Sequence, residues 1–155
     1  MDTRVVRQAT IADLDDLVTL FDAYRQFYRQ PSDPQRARRF LLERFEHNQS
    51  VIFMAFEDGA AIGFTQLYPS FSSVGTARIF ILNDLFVSPE TRRRGVGAAL
   101  LQTAAEYGRR LAAIRLVLST EVINANAQAL YEKTGWKRDT VFCVYQLALD
   151  PATRP

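Results

Sequence analysis

The sequence is poor in the residues that hold metals or form disulfides. It has one cysteine and one histidine in 155 residues. With Cys143 alone, an intrachain disulfide and a thiolate metal cluster are both excluded, and we expect this side chain to fill a place in the core. His47 excludes a site built from several histidines, and its segment ERFEHNQS predicts a surface position at a helix end. The composition therefore indicates chemistry without a metal and without a cysteine nucleophile.

Long apolar runs are also missing. Charged residues interrupt every apolar stretch before the roughly 20 residues that cross a bilayer, and the opening MDTRVVRQAT shows no signal-peptide pattern. The net charge of +2, from 19 basic and 17 acidic residues, is too small to draw the whole chain to nucleic acid or to an anionic membrane. We therefore expect a cytoplasmic protein without nucleic-acid or membrane partners, built as one domain over residues 1–150 with a short tail at 151–155.

Strand and helix patterns alternate along the chain. A buried apolar strand, a helix and a second buried strand follow one another in the middle of the sequence, and such a unit is normally parallel and right-handed. Asp58 and Gly59 predict a hairpin turn before it. The predicted fold is α/β, with a mixed, mostly antiparallel sheet whose central parallel strands splay apart between flanking helices. The predicted strands are residues 4–8, 51–57, 60–68, 78–87, 114–119 and 141–149, and helices follow Thr10, Asp33, Gly95 and Asn124.

The segment RRRGVGAALL, residues 92–101, predicts an anion site. It connects a buried strand to a helix, so backbone N–H groups and the positive helix end converge there. Gly95 and Gly97 leave room for phosphate oxygens, and three arginines supply positive charge. Leu100 stands where a dinucleotide fingerprint needs a third glycine, and no Gly-Lys-Ser/Thr follows as in a P-loop. An ordinary basic turn is the alternative interpretation of this segment alone.

The same segment resembles the signature RxxGxG/A of the GNAT superfamily of acyl-CoA N-acyltransferases. A second pattern of that superfamily, NxxAxxLYxKxGW/F, occurs downstream in the expected order. Motif identity is confined to residues 82–98 and 124–136, and the remainder matches only in the order of its elements. The matching residues are Arg92, Gly95 and Gly97 in the first motif and Asn124, Ala127, Leu130, Tyr131, Lys133, Gly135 and Trp136 in the second.

The resemblance implies acetyl-CoA as cosubstrate and a set of residues that bind it. The pyrophosphate would contact backbone amides of the glycine turn, the pantetheine arm would pair with the preceding strand, and one strand N–H would steady the oxyanion. Asn124 resembles the asparagine that meets the CoA arm. The implied binding residues are Leu85, Phe86, Val87, Arg92, Arg93, Arg94, Gly95, Val96, Gly97, Ala98 and Asn124.

Tyr131 resembles the tyrosine that protonates the departing thiolate. A phenol with a pKa of about 10 can protonate or stabilise a thiolate whose conjugate acid has a pKa of about 8.5. Taken without its motif, the residue is better explained as a helix aromatic packed on the sheet. The motif around it favours the catalytic interpretation.

Asn83 and Asp84 interrupt an otherwise apolar strand, where polar groups are costly unless they are paired or used. An amine acceptor with a pKa near 10.4 is neutral only about once in 10³ molecules at pH 7, so a base is needed. Asp84 is the best candidate. The polyamine-acetylating branch commonly has Glu-Asp here, so Asn83 departs from the pattern and water is an alternative proton carrier. The pair also fits a β-bulge without a catalytic role.

The acceptor is the least determined part of the prediction. Tyr24 and Tyr28, four residues apart on the first helix, are candidates to line its pocket with Tyr68 and Phe71, although core packing is the safer interpretation. The aromatic first helix and the strand LNDLFV resemble the small single-domain amine acetyltransferases, which favours a small primary amine. A peptide or protein lysine, a protein N-terminus and a non-catalytic acetyl-CoA sensor are the alternatives. The apolar terminal strand also suggests a homodimer.

Overall fold

The computed structural model describes residues 3–149, which form one five-stranded sheet with helices on both faces. The predicted α/β class is confirmed. Short 3-10 turns at Ile11–Asp13 and Pro89–Thr91 precede α1 and α3. The strands are β1 Arg4–Gln8, β2 Val51–Glu57, β3 Ala60–Ser72, β4 Ala77–Val87 and β5 Leu116–Val117, and the helices are α1 Leu14–Phe27, α2 Pro34–Glu46, α3 Val96–Arg110 and α4 Ala125–Lys133.

The sheet order is β1-β2-β3-β4-β5, and its first four strands are antiparallel. Asp58 and Gly59, with φ of 52° and 82°, make the predicted hairpin turn between β2 and β3. The last pair is parallel, as predicted, and β5 returns beside β4 after α3. This pairing involves only Phe80 with Leu116 and Ile81 with Val117, so the second half of β4 continues without β5 beside it.

Alternation along the strands divides the core into two layers. Ile52 and Met54 of β2 face the layer that α1 and α2 cover, whereas Phe53 and Ala55 face the layer that α3 covers. Leu41 on α2 and Leu100 on α3 are fully buried. Helix α4 has no fully buried residue and contacts the second layer through Leu130 and Tyr131.

The C-terminal part of the sheet differs from the prediction. Residues 141–149 form no strand within the described chain, and β5 covers two residues rather than 114–119. A strand needs a hydrogen-bonded neighbour, and the Asp139 carboxylate instead accepts hydrogen bonds from the amides of Val141 and Phe142, at 2.8 and 3.0 Å. The parallel pair therefore lies at an edge of the described sheet rather than at its centre.

Two other predictions concern this end of the chain. Cys143 is exposed, not in the core, because the segment that carries it does not pack on the domain. The predicted tail at 151–155 lies outside the described residues. Between residues 3 and 149, no helix is both long and apolar enough to cross a membrane.

Candidate active site

A cleft of about 610 Å³ opens where β4 runs on beyond its partner β5. One wall is the end of β4, another is α4, and the floor is the beginning of α3. Almost the whole predicted CoA-binding set lines it, together with Tyr28, Thr120 and Tyr131. The predicted binding residues in the lining are Leu85, Phe86, Val87, Arg92, Arg93, Gly95, Val96, Gly97, Ala98 and Asn124.

The glycine turn at the floor of the cleft directs backbone amides into one place. Gly95 is the N-cap of α3 with φ of 80°, a value that L side chains adopt only with strain. The amide of Ala99 donates to the carbonyl of Gly95 at 3.0 Å, which closes the first helical turn. The amides of residues 96–98 precede that bond and have no partner inside the helix. Their dipoles add to the positive helix end, so the turn suits a phosphate group.

The three arginines before this turn have different positions. The Nε of Arg92 donates to the carbonyl of Val87 at 3.0 Å, and its guanidinium lies 5.6 Å from the centre of the Phe86 ring. Arg93 also lines the cleft. The guanidinium of Arg94 pairs instead with Glu57 on β2. Two of the three predicted arginines therefore line the cleft, where Lys133 adds a further positive charge.

Gly97 allows α3, α4 and β4 to approach closely at the cleft. A Cβ added there would lie 3.1 Å from Cδ2 of Leu130 and 3.9 Å from Cγ2 of Val87. Asn124 is the N-cap of α4, and its Oδ1 accepts a hydrogen bond from the amide of Ala127 at 3.1 Å. This asparagine therefore fixes the start of the helix that carries Tyr131.

Tyr131 lies inside the cleft with its ring 6.0 Å from that of Trp136. Burial, with a smaller contribution from Tyr28, raises the pKa of Tyr131 to about 12. The phenol is therefore neutral at pH 7 and carries a proton that it can donate to a departing anion.

Asn83 produces a β-bulge, which was one of the two interpretations of the Asn83-Asp84 pair. In the register of β3 with β4, Gln66 faces Asp84 and Leu67 faces Leu82, so Asn83 has no partner. The extra residue turns the exposed Asn83 and the buried Asp84 to different environments. The bulge does not exclude a catalytic role for Asp84.

Asp84 is 3% exposed and hydrogen-bonded on both carboxylate oxygens. Gln66 Nε2 donates to Oδ2 at 2.5 Å, and Asn83 Nδ2 donates to Oδ1 at 3.0 Å. Burial raises the pKa of Asp84, although the hydrogen bonds from Gln66, Asn83 and Tyr24 act in the opposite direction. The site therefore favours proton uptake more than a carboxylate in water does.

Aromatic rings connect this carboxylate to the cleft. The Tyr24 ring lies 5.1 Å from that of Tyr28 and 6.3 Å from that of Phe86, and both neighbours line the cleft. Its hydroxyl donates weakly to the Asn83 carbonyl at 3.4 Å. Burial raises the pKa of Tyr24 and raises that of Tyr68 to about 12, and the Asp84 charge adds to both shifts.

The predicted acceptor residues do not all gather in one place. Tyr28 reaches the cleft, while Tyr24 and Asp84 lie behind its lining. Phe71 is 68% exposed and contacts Arg78. The sequence argument missed Gln66, although a buried amide in the apolar strand AAIGFTQLY carries the same signal that identified Asp84.

An amide-rich helix start, a strand edge left open by a diverging parallel partner and a neutral tyrosine all face one cleft. This combination on a mixed α/β sheet defines an acyl-CoA N-acyltransferase. The profile of the acetyltransferase (GNAT) family matches residues 15–136, and the chain belongs to this family. The predicted family and acetyltransferase activity are confirmed.

Individual relatives agree with this family membership. The uncharacterized N-acetyltransferase YhfO of Bacillus subtilis is 50% identical over 142 residues, which are 92% of this chain and 95% of that protein. A crystal structure of a probable acetyltransferase is 43% identical, with a TM-score of 0.90 over 94% of this chain and 97% of the other. An aminoglycoside N-acetyltransferase in complex with CoA is 20% identical, has a TM-score of 0.79 over 96% of this chain and 97% of its own, and shares the fold.

Proposed function

We propose that this N-acetyltransferase transfers an acetyl group from acetyl-CoA directly to a primary amine of a small molecule. The observation that carries the proposal is that one cleft holds both an amide-rich helix start and a protonated tyrosine. Acetyl-CoA supplies the activated acetyl thioester. The remaining chemistry is binding and proton transfer, which the chain's own residues can perform.

The cleft suits the two polar parts of CoA. Amides of residues 93–98 and the guanidinium groups of Arg92 and Arg93 would hold the pyrophosphate. Leu85, Phe86 and Val87 already pair with β3 on one side, and their other backbone edge is free of β5. That edge can pair with the amides of the pantetheine arm, and one of its N–H groups can stabilise the oxyanion. Asn124 would lie beside the same arm.

Two residues would handle the protons. Tyr131 would donate its phenolic proton to the leaving thiolate, because a phenol with a pKa of about 12 is protonated at neutral pH. Asp84 would take the proton of the incoming ammonium. Because Asp84 is 3% exposed, that proton would reach it through water or through the Tyr24 hydroxyl rather than by direct contact.

The surroundings of Asp84 favour a small cationic acceptor. Tyr24, Tyr28 and Tyr68 carry no charge at neutral pH and place aromatic rings around a single carboxylate, which suits an alkylammonium group. A CoA-bound structure with this fold belongs to an enzyme named for aminoglycoside acetylation, so the fold accommodates small amines. Peptide lysines and protein N-termini are the competing acceptors.

We also propose a cytoplasmic homodimer that forms through residues 141–149. The apolar side chains of this segment are between 78% and 91% exposed, and each would gain about 1.5–3 kcal/mol on full burial. β5 is the last described strand of the sheet, so its outer edge is open to another strand. The matching occupant is the same segment of a second copy, by symmetric exchange. The segment's apolar residues are Val141, Phe142, Val144, Tyr145, Leu147 and Leu149.

Release of the CoA thiol from acetyl-CoA tests the reaction. The wild type would be compared with Tyr131→Phe across polyamines, amino acids, aminoglycosides and lysine peptides. Tyr107→Phe is the matched control, because this phenol packs between Phe53 and Phe80 on the α3 side of the sheet. We expect turnover with a small amine, a fall of about 10²–10⁴-fold in kcat for Tyr131→Phe and wild-type activity for the control.

Other outcomes would count against the proposal in specific ways. Turnover restricted to lysine peptides would replace the small acceptor with a protein one. Saturable acetyl-CoA binding without turnover on any amine would indicate a non-catalytic sensor. Full activity in Tyr131→Phe would remove this residue from the mechanism.

A further inference from the structure

Gln66 is a fully buried polar residue beside the candidate base. Its side chain is fully buried in β3, directly opposite Asp84 in the sheet register. Its Nε2 donates to Oδ2 of Asp84 at 2.5 Å. The contact joins neighbouring strands, so the backbone ladder fixes its geometry rather than a flexible loop.

The other end of the same amide is unsatisfied. Gln66 Oε1 is buried and has no hydrogen-bond partner among residues 3–149. A buried acceptor without a partner costs free energy, so its presence requires an explanation. An apolar side chain of similar length would fill the space without that cost. What it would lose is the donor to Asp84.

A glutamine amide can serve a carboxyl group in both of its protonation states. Nε2 donates to the ionised carboxylate, as observed. If the carboxyl takes up a proton, its O–H needs an acceptor, and rotation of the amide by half a turn brings Oε1 to the same place. Methionine has no donor and its sulfur accepts only weakly, and glutamate would set a second negative charge against the first.

We infer that Gln66 is a positioning residue that holds the Asp84 carboxyl group through its amide before and after proton uptake. The role in turnover rests on the proposed function, in which Asp84 receives the proton of the amine. The hydrogen-bond partnership itself does not depend on any substrate.

The side chains around Asp84 carry no charge that would mask the effect of Gln66 on the pKa of Asp84. Tyr24 faces it from α1, Tyr28 from the end of that helix and Tyr68 from β3. All three are neutral at pH 7, because the ordinary pKa of a tyrosine lies well above 7 and burial raises it further. Asn83 is the other side-chain amide on the carboxylate. Arg44 of α2 acts on Tyr68, and it is not among the groups that shift Asp84. A hydrogen bond to an ionised carboxylate is about twice as strong as one from a neutral carboxyl group, so loss of the Gln66 amide removes more from the ionised state and should move the titration of Asp84 to higher pH.

The first test uses Gln66→Met beside a matched control, Thr65→Val. Thr65 is also fully buried, and its hydroxyl donates to the main-chain carbonyl of Asp84 at 2.8 Å. Each variant loses one buried hydrogen bond to the same residue, but only Gln66→Met loses one to the carboxylate. Carbon-13 NMR of the side-chain carboxyl, assigned with Asp84→Asn, reports its titration in each protein.

We expect the Asp84 midpoint to move upward in Gln66→Met and to stay in place in Thr65→Val. The acid limb of kcat/KM should move with it, with a fall of about tenfold at pH values below the wild-type midpoint in Gln66→Met, as expected for loss of a hydrogen bond to a charged group. An unchanged midpoint in Gln66→Met, or equal shifts in both variants, would overturn the inference. A moved midpoint with an unmoved acid limb would overturn the role in turnover.

The wild-type protein provides a test that needs no variant. The side-chain amide signals of Gln66 should change with pH at the same midpoint as the Asp84 carboxyl carbon, since the amide turns when the proton arrives. Amide signals that do not respond at that midpoint would overturn the inference even if Gln66→Met failed to fold. A further outcome is that the Gln66 amide and the Asp84 carboxyl carbon titrate together in a protein that acetylates no amine. That result would contradict the proposed function and support the hydrogen bond between Gln66 and Asp84 in both protonation states.

Discussion

Alanine at Gly95 and alanine at Gly59 should strain the backbone equally but with different consequences. We expect Gly59→Ala to lower the stability of the fold and Gly95→Ala to lower the affinity for CoA. The two glycines have nearly equal φ, 80° and 82°, and an added Cβ has no neighbour nearer than 4.0 Å in either place. Alanine in this conformation costs about 1–2 kcal/mol. The two turns differ in what holds them. The hairpin at Gly59 is clamped by the pairing of β2 with β3, whereas residues 92–95 form an exposed turn held through the side chains of Arg92 and Arg94.

The strain should therefore appear in different measurements. In Gly59→Ala the sheet keeps the turn in place, and the free energy of unfolding in urea should fall by about 1–2 kcal/mol with unchanged CoA affinity. In Gly95→Ala the exposed turn can relax in the free protein. CoA must then restore it, so the dissociation constant should rise by about 5–30-fold, which is the same energy.

Calorimetric titration with CoA gives the dissociation constant of each variant, and unfolding in urea gives its free energy of unfolding. The reasoning is refuted if Gly95→Ala binds CoA as tightly as the wild type while losing as much stability as Gly59→Ala. That result would mean that the amides at the start of α3 do not hold the pyrophosphate.

Three further outcomes follow from the packing and the charges. Leu41→Ala should lower the free energy of unfolding in urea by about 2–5 kcal/mol because the side chain is fully buried, whereas the fully exposed Val74→Ala should leave it unchanged. The Arg7 guanidinium holds the pKa of Asp13 at about 2, below the ordinary 3.8, so this pair stabilises the fold above pH 4 and is lost as the pH falls towards 2. Because Arg7 is about half exposed, we expect acid unfolding curves to show a loss of about 1–2 kcal/mol across that window that Asp13→Asn lacks. Light scattering should show a dimer mass for the wild type and a monomer for Val144→Lys, and a monomer mass for the wild type at both low and high concentration would contradict the exchange of residues 141–149.

Short-range sequence patterns were sufficient to predict the glycine turn and the start of α3, which form the floor of the cleft. The arginines, Gly95 and Gly97 lie between a long apolar strand and an amphipathic helix, and each of these signals acts within a few residues. The structure confirms the elements and places the glycines and Arg92 at the cleft. It also turns Arg94 towards Glu57, an outcome that depends on how β2 lies beside the turn and that no local pattern contains.

The pairing and register of the strands could not be predicted from the sequence. Alternation in residues 141–149 predicted a strand, but alternation cannot tell whether a neighbouring strand is available. Gln66 was missed for the same reason. Its position opposite Asp84 depends on a register that shifts by one residue at Asn83, and the sequence shows two polar interruptions in separate strands without showing that they meet.

The bulge at Asn83 determines on which face of the sheet the candidate base Asp84 lies. In a regular strand, residues 84 and 86 would continue the face on which residue 82 lies, yet Leu82 belongs to the α3 layer while Phe86 belongs to the α1 layer. The extra residue reverses the faces, so Asp84 lies on the α1 side with Tyr24 and Gln66. Without the bulge, the carboxylate would lie under α3 among apolar side chains. A single inserted residue in β4 therefore determines whether the candidate base faces the aromatic side of the sheet.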